Sequence, residues 1–452
     1  MLALLLASLA ASSASAQLPV DRKYTETLLA SFPDEVRDSA VISPDCRRIA
    51  YIEPTDAGQT VVVNGQRQSA YEGVAAIEFS PDGKRLAYAA RKSDAWHLVV
   101  DGVEEGPYDR VGPPVFSPAG GRLAYVAMVA GGKRVVVIDG RPGKPYDVIS
   151  AGLIEFSPDG RRVAYGAVRD HRCYLVIDGE EVGPHEDLGT RTGYRFSADG
   201  SRLAYVILDG TKLRVVVDAA AQTPHDDVGD LVFSPDGKRL AYAALERGRW
   251  RVVVDGPPHT PYDTIGDGTL QFSPDGAKVA YAAKQGDRWM AVVDGEPGKA
   301  YDGIGEMIFS PDGQTLAYAV RTGEFETVVV GDREQRAFDA VGGGSLVFSP
   351  NGRRFGYVAR SGWARCAVVD GRRKRRFDMV GYLAFSPDSR HPVYAAVRDG
   401  RAFTVVDDKP AAHRYDAIWL PHGQKLTFDS RTRFRYLAVK DDNIYLVEEE
   451  VE

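Results

Sequence analysis

The stretch FSPDGKRLAYAA, Phe79–Ala90, decides the fold because the chain repeats it along most of its length. The same letters return at Phe233–Ala244, and close variants begin at Phe156 and Phe272. The motif serine recurs at intervals of 37 to 40 residues. Its positions are Ser43, Ser80, Ser117, Ser157, Ser197, Ser234, Ser273, Ser310, Ser349 and Ser386. A degraded eleventh copy surrounds Phe428, so one repeated unit occupies most of the chain.

A repeat of this length is typical of the four-stranded blade of a β-propeller. In each copy the first predicted strand closes on Phe-Ser or its equivalent, and the second is RLAYAA or similar. The third resembles WRVVVDG, Trp250–Gly256, and the fourth resembles TPYDTIG, Thr260–Gly266. SPDG between the first two is a hairpin turn, because proline presets φ, aspartate bonds nearby backbone and glycine tolerates positive φ. The sequence predicts an all-β propeller of about eleven four-stranded blades, built as one oversized ring or as two rings.

The residue pattern within a repeat indicates blades packed face to face. Third strands read VVV without interruption, which is typical of strands buried on both faces. In the second strand Leu86 and Tyr88 share one face while Ala87 and Ala89 share the other, so a large face can meet a small face on the next blade. The tyrosine recurs in all eleven copies, and we interpret these rings as core rather than as a binding cage.

The chain divides into three segments. Residues 1–16 resemble a secretory signal peptide that ends at Ala14-Ser15-Ala16, and the apolar run is too short to span a membrane. Residues 17–39 form an N-terminal segment in which Lys23–Leu28 is a candidate for the fourth strand that the eleventh copy lacks, closing a ring. Residues 40–452 hold the repeats, and DAAAQ in place of DG near 219–230 would mark the boundary between two rings.

Composition narrows the classes of function. The chain is 44% hydrophobic and 26% charged with a net charge of −7, which is typical of a soluble globular protein and argues against nucleic-acid binding. Three cysteines do not make a disulfide framework, so we expect Cys173 and Cys366 to act as small hydrophobic residues in equivalent strands. We expect a periplasmic or secreted protein that does not span the membrane.

FSPDGKRLAYAA followed by a VVVDG strand resembles the repeats of the WD-like propellers of the TolB type, and the resemblance runs from Ala40 to the end of the sequence. It implies a propeller of the bacterial envelope or a secreted propeller that binds protein or glycan partners. TolB itself carries an α/β domain before its propeller, whereas here residues 17–39 precede the repeats.

A binding site on a repeat scaffold requires residues that other copies lack, and repeat nine departs most from the pattern. It contains Arg353-Arg354, Arg360 and Arg365, and then five consecutive cations. These are Arg372, Arg373, Lys374, Arg375 and Arg376. Placed at a hairpin tip, they are candidates for binding phosphate, sulfate or a carboxylated glycan, because guanidinium groups match such anions. The alternative is a solvated loop without a ligand.

Repeat ten ends in a crossover that also departs from the other copies, with Trp419, Pro421 and His422. Trp419 and His422 are candidates for stacking on a sugar or contacting a partner. The alternative is that this crossover seals the closing blade.

An acidic residue follows the fourth-strand aromatic, or its substitute, in ten copies. The positions are Glu72, Asp109, Asp147, Glu186, Asp226, Asp263, Asp302, Asp339, Asp378 and Asp416. A ring of carboxylates that binds cations is one hypothesis, and capping of backbone amides at the crossover is the other. His185 and His225 replace the aromatic ring in two copies. Together with His171 and Cys173 they show no HxH, HExxH or CxxC spacing, so no metal site is predicted.

No GxSxG, SxxK or phosphate-loop motif is present, so no catalytic residue and no cofactor are predicted. The sequence favours an exported, non-enzymatic propeller scaffold that binds a protein or an anionic glycan. The alternatives are a lyase or hydrolase acting on acidic polysaccharide at the channel mouth, and a purely structural or adhesive protein. Convergence of His171, His185, His225 and His422 would favour the enzyme.

Overall fold

The computed structural model describes residues 22–31, 38–149, 154–189, 193–420 and 426–451. Within these ranges the regular elements are β-strands and short 3-10 turns at Ala130–Gly132 and at residues 38–39. The strands form eleven antiparallel sheets, each made from consecutive segments of the chain except where the two chain ends meet. The prediction of an all-β propeller with eleven blades is confirmed. The predicted signal peptide, residues 1–16, lies outside the described residues.

Each blade is a sheet of strands in chain order. The first strand is continuous in six blades, as Val41–Ile42, Gly73–Phe79, Tyr194–Phe196, Asp227–Phe233, Gly303–Phe309 and Met379–Phe385. In the other five blades it is divided into two short strands: Arg110–Val111 with Val115–Phe116, Val148–Ile149 with Glu155–Phe156, Thr264–Ile265 with Gln271–Phe272, Ala340–Val341 with Val347–Phe348, and Ala417–Trp419 with Thr427–Phe428. The second strands are Ile49–Thr55, Leu86–Lys92, Leu123–Met128, Val163–Arg169, Leu203–Asp209, Leu240–Glu246, Val279–Gln285, Leu316–Thr322, Phe355–Ser361, Pro392–Arg398 and Arg433–Lys440.

The third strands are Gly58–Val63, Ala95–Val100, Arg134–Ile138, Arg172–Ile177, Lys212–Val217, Arg249–Val254, Arg288–Val293, Phe325–Val330, Ala364–Val369, Arg401–Val406 and Asn443–Glu450. The fourth strands are Gln66–Tyr71, Val103–Tyr108, Arg141–Pro142, Glu180–His185, Ala220–His225, Glu296–Tyr301, Arg333–Glu334, Arg372–Phe377, Lys409–Pro410 and Tyr24–Ser31. In blade six the fourth strand is reduced to isolated bridges that join Val253 to Pro258 and Trp250 to Tyr262.

The predicted fourth strand Thr260–Gly266 is wrong in its bounds. Tyr262 pairs with Trp250 of blade six, whereas Thr264–Ile265 already belongs to the first strand of blade seven. The recurring acid between them, Asp263, marks the crossover from one blade to the next. Its amide donates to the carbonyl of Lys284 in the next blade, which turns the chain across the gap.

The two ends of the described chain meet in blade eleven. Tyr24–Ser31 pairs antiparallel with Asn443–Glu450, with Tyr24 opposite Glu449 and a bulge between Leu28 and Ala30. The candidate strand Lys23–Leu28 therefore overlaps the fourth strand of this sheet, which begins one residue later, at Tyr24, and extends to Ser31. Pairing the last third strand with an N-terminal strand covers an edge that would otherwise stay open.

The core lies between blades. Ala50 and Val61 of blade one pack with Tyr88 of blade two, and this arrangement of a small face against a large one repeats around the molecule. Across the joint at 219–230, Val217 packs with Val228, so blades five and six share a core there as well. A final cluster joins blades ten, eleven and one. The contacts therefore follow one closed ring of eleven blades.

A repeated aromatic contact stabilises ten of the eleven blade junctions. The second-strand tyrosine is buried in all eleven blades, and in blades two to eleven its ring lies 5.7 to 6.5 Å, between centroids, from the aromatic residue that precedes the crossover from the previous blade. The pairs are Tyr71–Tyr88, Tyr108–Tyr125, Tyr146–Tyr165, His185–Tyr205, His225–Tyr242, Tyr262–Tyr281, Tyr301–Tyr318, Phe338–Tyr357, Phe377–Tyr394 and Tyr415–Tyr436. Most are edge-on, which is the favoured geometry of aromatic pairs. The interpretation of these rings as core is confirmed.

The SPDG turns stabilise one face of the ring. Ser80 Oγ donates to Asp82 Oδ1 at 2.6 Å, and the amide of Gly83, at φ +71°, donates to the Ser80 carbonyl. Arg85 then bonds to Asp101 at 2.9 Å and lies over the Phe116 ring of the next blade. The motif is thus the predicted hairpin turn, and its arginine in addition links neighbouring blades.

The opposite side of the ring, called the acid face below, carries the ten recurring acids and the hairpins between second and third strands. The Asp302 carboxylate accepts a hydrogen bond of 2.7 Å from the Gly323 amide in the next blade's hairpin. The equivalent bond is made by Glu72, Asp147, Asp226, Asp263, Asp339, Asp378 and Asp416. Capping of backbone amides, one of the two hypotheses for these acids, is what these bonds do.

Candidate functional site

The five consecutive cations of repeat nine do not lie at a hairpin tip, so that part of the prediction is wrong. They form the fourth strand of blade nine, Arg372–Phe377, because the turn is completed earlier at Asp370-Gly371. Both turn residues have positive φ, which an aspartate-glycine pair accommodates. Arg372, Arg373 and Arg376 are exposed and Lys374 and Arg375 are half-buried. The run is therefore a basic outer strand that crosses from the SPDG face to the acid face.

At the acid face the basic strand reaches a neighbouring hairpin. Arg376 Nη2 donates to Ser361 Oγ at 3.2 Å, and the carbonyl of Arg376 accepts a bond from Arg398. At its middle, the amide of Arg375 donates to Asp408 Oδ1 of blade ten at 3.1 Å. The end of the run thus approaches the cleft described below, while its beginning does not.

Trp419 does not offer a surface for stacking on a sugar, although the sequence made it a candidate for that role. Its side chain is only 2% exposed and belongs to the core cluster that joins blades ten, eleven and one. A buried indole has no face left for a sugar, so the alternative, that this crossover seals the closing blade, matches its position. Pro421 and His422 lie outside the described residues.

Three of the four histidines whose convergence would favour an enzyme lie on the acid face, and they do not form a site. His171 is exposed at the hairpin tip of blade four, and His185 and His225 fill the aromatic positions of two successive blades. Burial lowers the pKa of both His185 and His225, as expected of rings packed against tyrosine. In the described ranges no three His, Cys, Asp or Glu side chains are grouped to hold a metal. Cys173 is half-buried and Cys366 is buried, and both are free.

Two arginines of blade nine stand directly opposite each other across neighbouring strands. Arg360 of the second strand pairs with Arg365 of the third, so both side chains project from the same face of the sheet. The same position holds Lys284 opposite Trp289 in blade seven and Arg321 opposite Glu326 in blade eight. Like charges placed opposite each other destabilise a sheet, so this pair is an unfavourable choice for folding alone.

Other cation pairs in the ring are compensated by carboxylates, whereas this one is not. Arg169 stands opposite Arg172 but forms an ion pair with Glu181 at 2.8 Å. In the part of the chain that the structure describes, neither Arg360 nor Arg365 has an ion-pair partner. Arg360 Nη1 contacts the Gly362 carbonyl at 3.3 Å and Arg365 Nη1 lies 2.9 Å from the Met379 sulfur. Thioether sulfur is a weak acceptor, so much of the binding capacity of Arg365 is unused.

The two arginines line a cleft between blades nine and ten, called the blade 9–10 cleft, with a volume of about 500 Å³. Gly342, Gly343, Gly344 and Ser345 form one wall and Tyr382 of blade ten belongs to the other. At the position of Arg365, blades two, six and seven carry Trp96, Trp250 and Trp289. The arginine therefore lines an open space at a position that three other blades fill with an indole.

Tyr382 adopts a conformation that bulky residues rarely hold. Its φ is +59°, in the left-handed region, at a bulge in the first strand of blade ten. The equivalent bulge in blade two carries Ala76 at φ +54°. Burial raises the pKa of Tyr382, so its hydroxyl stays protonated and can donate a hydrogen bond. A strained tyrosine at the wall of the cleft is consistent with a functional role.

The glycine loop of the cleft leaves backbone donors unused. In blade seven the matching loop donates from the Gly268 amide to Asp230 Oδ2 of the preceding blade at 2.7 Å. The corresponding acid of blade eight, Glu306, instead accepts from Leu346 N at 3.1 Å. Gly343 and Gly344 are both exposed, and no described group accepts a hydrogen bond from either amide. These amides are available to an acceptor from outside the chain.

Trp363 is a surface feature that sequence reasoning missed. It lies at the tip of the hairpin between Arg360 and Arg365, and 67% of its surface is exposed. Phe325, on the next hairpin around the ring, is 55% exposed. Large apolar residues left in solvent on one edge of a polar face are typical of binding surfaces.

Arg360, Trp363 and Arg365 are close together in the sequence, but which of their side chains are neighbours in the sheet depends on strand register. Only the pairing of Ser361 with Ala364 makes the two arginines direct neighbours. The one signal in the sequence is that Trp363 stands at a hairpin tip where the other copies carry polar or small residues. Reading the hairpin tips against one another would have found it.

No family model and no curated protein matches the chain. Among solved structures it is similar to one described as the crystal structure of the eukaryotic initiation factor, with 14% identity, a TM-score of 0.41, and coverage of 76% of this chain and 99% of that one. It is also similar to one described as the structure of the Dos1 propeller, with 11% identity, a TM-score of 0.32, and coverage of 65% and 90%. Among the described residues, no helix has the length and apolar character needed to cross a membrane.

Proposed function

We propose that this protein is an exported, non-enzymatic propeller scaffold that binds an anionic partner in the blade 9–10 cleft. The observation that carries the proposal is the uncompensated pair Arg360 and Arg365, which face a cleft of about 500 Å³. A carboxylate, sulfate or phosphate of the partner placed between the guanidinium groups would remove their repulsion. Arginine suits this role because its planar fork binds such anions through two parallel hydrogen bonds.

The surroundings of the cleft support an anionic partner. Arg376 contacts Ser361 of the hairpin that carries the two arginines, Arg398 of blade ten donates to the Arg376 carbonyl, and the basic strand Arg372–Phe377 adds positive charge on the outer side of blade nine. The whole chain carries a net charge of −7, so this concentration of positive charge is local. Such a field steers an anionic ligand to one part of the ring while the other blades repel it.

Export to the periplasm or the cell exterior is proposed from the sequence of residues 1–16 and from the resemblance of the repeats to propellers of the TolB type. Expression of the full chain in a Gram-negative host tests it directly. We expect the mature protein in the periplasmic or culture fraction with its new N-terminus at Gln17. A full-length protein that stays in the cytosolic fraction would contradict export.

The binding proposal is tested by the double substitution Arg360→Gln and Arg365→Gln. Retention of the purified protein on an immobilised polyanion, measured against increasing salt, should fall for this variant. The matched control is Lys284→Gln with Arg321→Gln, which removes two cations from the same second-strand position in blades seven and eight. If both double variants elute at the same salt concentration, binding depends on total charge and the cleft is not the site.

A further inference from the structure

We infer that the ligand of the blade 9–10 cleft is an acidic polysaccharide. One acidic sugar places its carboxylate between Arg360 and Arg365, and the adjoining sugar ring stacks on Trp363. This inference rests on the proposed function, because it names the chemical class of the anionic partner. Three features carry it: the exposed indole, the free glycine amides and the shape of the surface around them.

The indole is positioned to contact a second unit of whatever occupies the cleft. Trp363 lies three residues after Arg360 and two before Arg365, at the tip of the hairpin that carries both. Nothing in the fold requires an aromatic residue there, since the equivalent tip in blade eight carries Glu324. An exposed tryptophan presents a flat apolar face with a polar N–H edge, and the apolar face of a sugar ring packs on such a surface.

The glycine loop favours a carboxylate as the acidic group. In blade seven a carboxylate from the chain itself, Asp230, accepts the hydrogen bond of the Gly268 amide. In blade nine the equivalent amide of Gly344 has no acceptor in the described chain, and Gly343 replaces the acidic Asp267 of blade seven. Blade seven therefore shows how a carboxylate fits this loop. Without side chains at the two exposed glycines, a sugar can lie against the backbone.

The surface is shaped for a chain of rings rather than for a peptide. Peptide recognition requires a groove with pockets for side chains or a free strand edge that adds a strand. Here the apolar element projects as a flat indole beside an open cleft that is lined by the two arginines, by glycines and by apolar side chains including Tyr382. Phe325 is also exposed, on the equivalent hairpin of blade eight on the same face, and is a second aromatic residue that further sugar units could contact.

The test measures affinity by calorimetry for three probes: a polyuronate hexasaccharide, a sulfated hexasaccharide and a hexaglutamate peptide. The proteins are the wild type, Trp363→Ala, Arg365→Gln and the hairpin-tip control Glu324→Ala. We expect the polyuronate to bind most tightly, Trp363→Ala to weaken it about tenfold, and Arg365→Gln to weaken it about tenfold or more. Glu324→Ala should bind as the wild type does.

The outcomes separate this inference from the proposed function. Preferred binding of the sulfated probe, dependent on both Arg365 and Trp363, would overturn the carboxylate assignment. Binding of hexaglutamate as tight as the polyuronate, lost with Arg365→Gln and unchanged with Trp363→Ala, would overturn the polysaccharide and leave an anion-binding cleft. Failure of every probe to bind the wild type at low salt would remove both proposals. Circular dichroism of each variant establishes that it is folded.

Discussion

Arg22 and Glu449 form an ion pair across the point where the two ends of the chain meet, and their side chains are only 3% and 0% exposed. Arg22 also donates to the Lys409 carbonyl at 2.9 Å and to Thr404 Oγ1 at 3.1 Å. Thr404 Oγ1 donates to the other carboxylate oxygen of Glu449 at 2.6 Å. The pair thus links the N-terminal segment to blades ten and eleven from inside the core.

This pair predicts a large loss of stability when one partner is removed. Arg22→Ala leaves the Glu449 carboxylate buried without its counter-charge, so we expect the free energy of unfolding to fall by about 3–5 kcal/mol. The neighbouring Lys23 pairs with Glu450, and those side chains are 76% and 31% exposed. Lys23→Ala is therefore a matched control that should cost about 0–1 kcal/mol. Urea denaturation measures both, and equal midpoints would show that the pair does not hold the ring closed.

Low pH should weaken the closure of the ring by Arg22 and Glu449. Burial alone would raise the pKa of Glu449, but the hydrogen bond from His413 and the charge of Arg22 outweigh it and hold the pKa below the usual range. A carboxyl group whose folded-state pKa is depressed contributes stability above its unfolded pKa of about 4.3, and this contribution is lost as pH falls through the folded value. The difference in thermal midpoint between wild type and Glu449→Gln should therefore shrink below about pH 4.

Glu78 provides a control of opposite sign. Packing around this first-strand carboxyl group raises its pKa although the side chain stays exposed to solvent, so its ionisation disfavours the folded state only weakly. Glu78→Gln should therefore stabilise the protein at neutral pH, and the gain should disappear as pH falls below about 4. If both variants respond to acid in the same direction, local carboxylate chemistry is not the cause.

The fold was predictable from the sequence because each repeat contains the same pattern of turn and strand residues. Tyr88 and its ten counterparts, together with the SPDG turns, determine blade number, strand order and the alternation of large and small faces. The site was only partly predictable. Composition pointed to repeat nine, but the basic run drew attention to Arg372–Phe377, whereas the cleft depends on the opposition of Arg360 and Arg365. Cross-strand register and exposure are properties of the assembled sheet, which a residue pattern does not contain.

Two tryptophans should respond to truncation in opposite ways. Trp419 is buried in the closing cluster, so Trp419→Ala leaves a cavity and should cost about 3–5 kcal/mol of stability. Trp363 is largely exposed, and Trp363→Ala should change stability by less than about 0.5 kcal/mol. Binding of the polyuronate probe should weaken in the Trp363 variant. It should be unchanged in the Trp419 variant, provided that binding is measured well below the thermal midpoint of that variant. A large stability loss in the Trp363 variant would contradict its assignment to a binding surface.

Removing one arginine of the cleft should stabilise the protein while it weakens binding. Arg365→Gln relieves the repulsion with Arg360, so we expect the free energy of unfolding without ligand to rise by about 0.2–1 kcal/mol. Lys284→Gln, opposite Trp289, removes a cation without relieving any repulsion and should give no such gain. Thermal unfolding with and without the polyuronate measures both effects. A loss of stability in the Arg365 variant without ligand would show that the pair contributes to folding and is not held for a ligand.

The salt dependence of binding should distinguish the contribution of the basic outer strand from that of the cleft. Arg372 and Arg373 are exposed at the end of the strand near the SPDG face, so their charge acts on a ligand in the cleft only at a distance. Reversing both to glutamate should leave the thermal midpoint unchanged and weaken polyuronate binding at about 0.01 M salt, where charges act over about 30 Å. At about 0.15 M that range falls to about 8 Å, so the affinity should approach that of the wild type. Arg365→Gln removes a direct contact, and its loss should persist at the higher salt. If the strand variant stays as weak as the cleft variant at about 0.15 M salt, the ligand lies on Arg372–Phe377 and the cleft assignment is wrong.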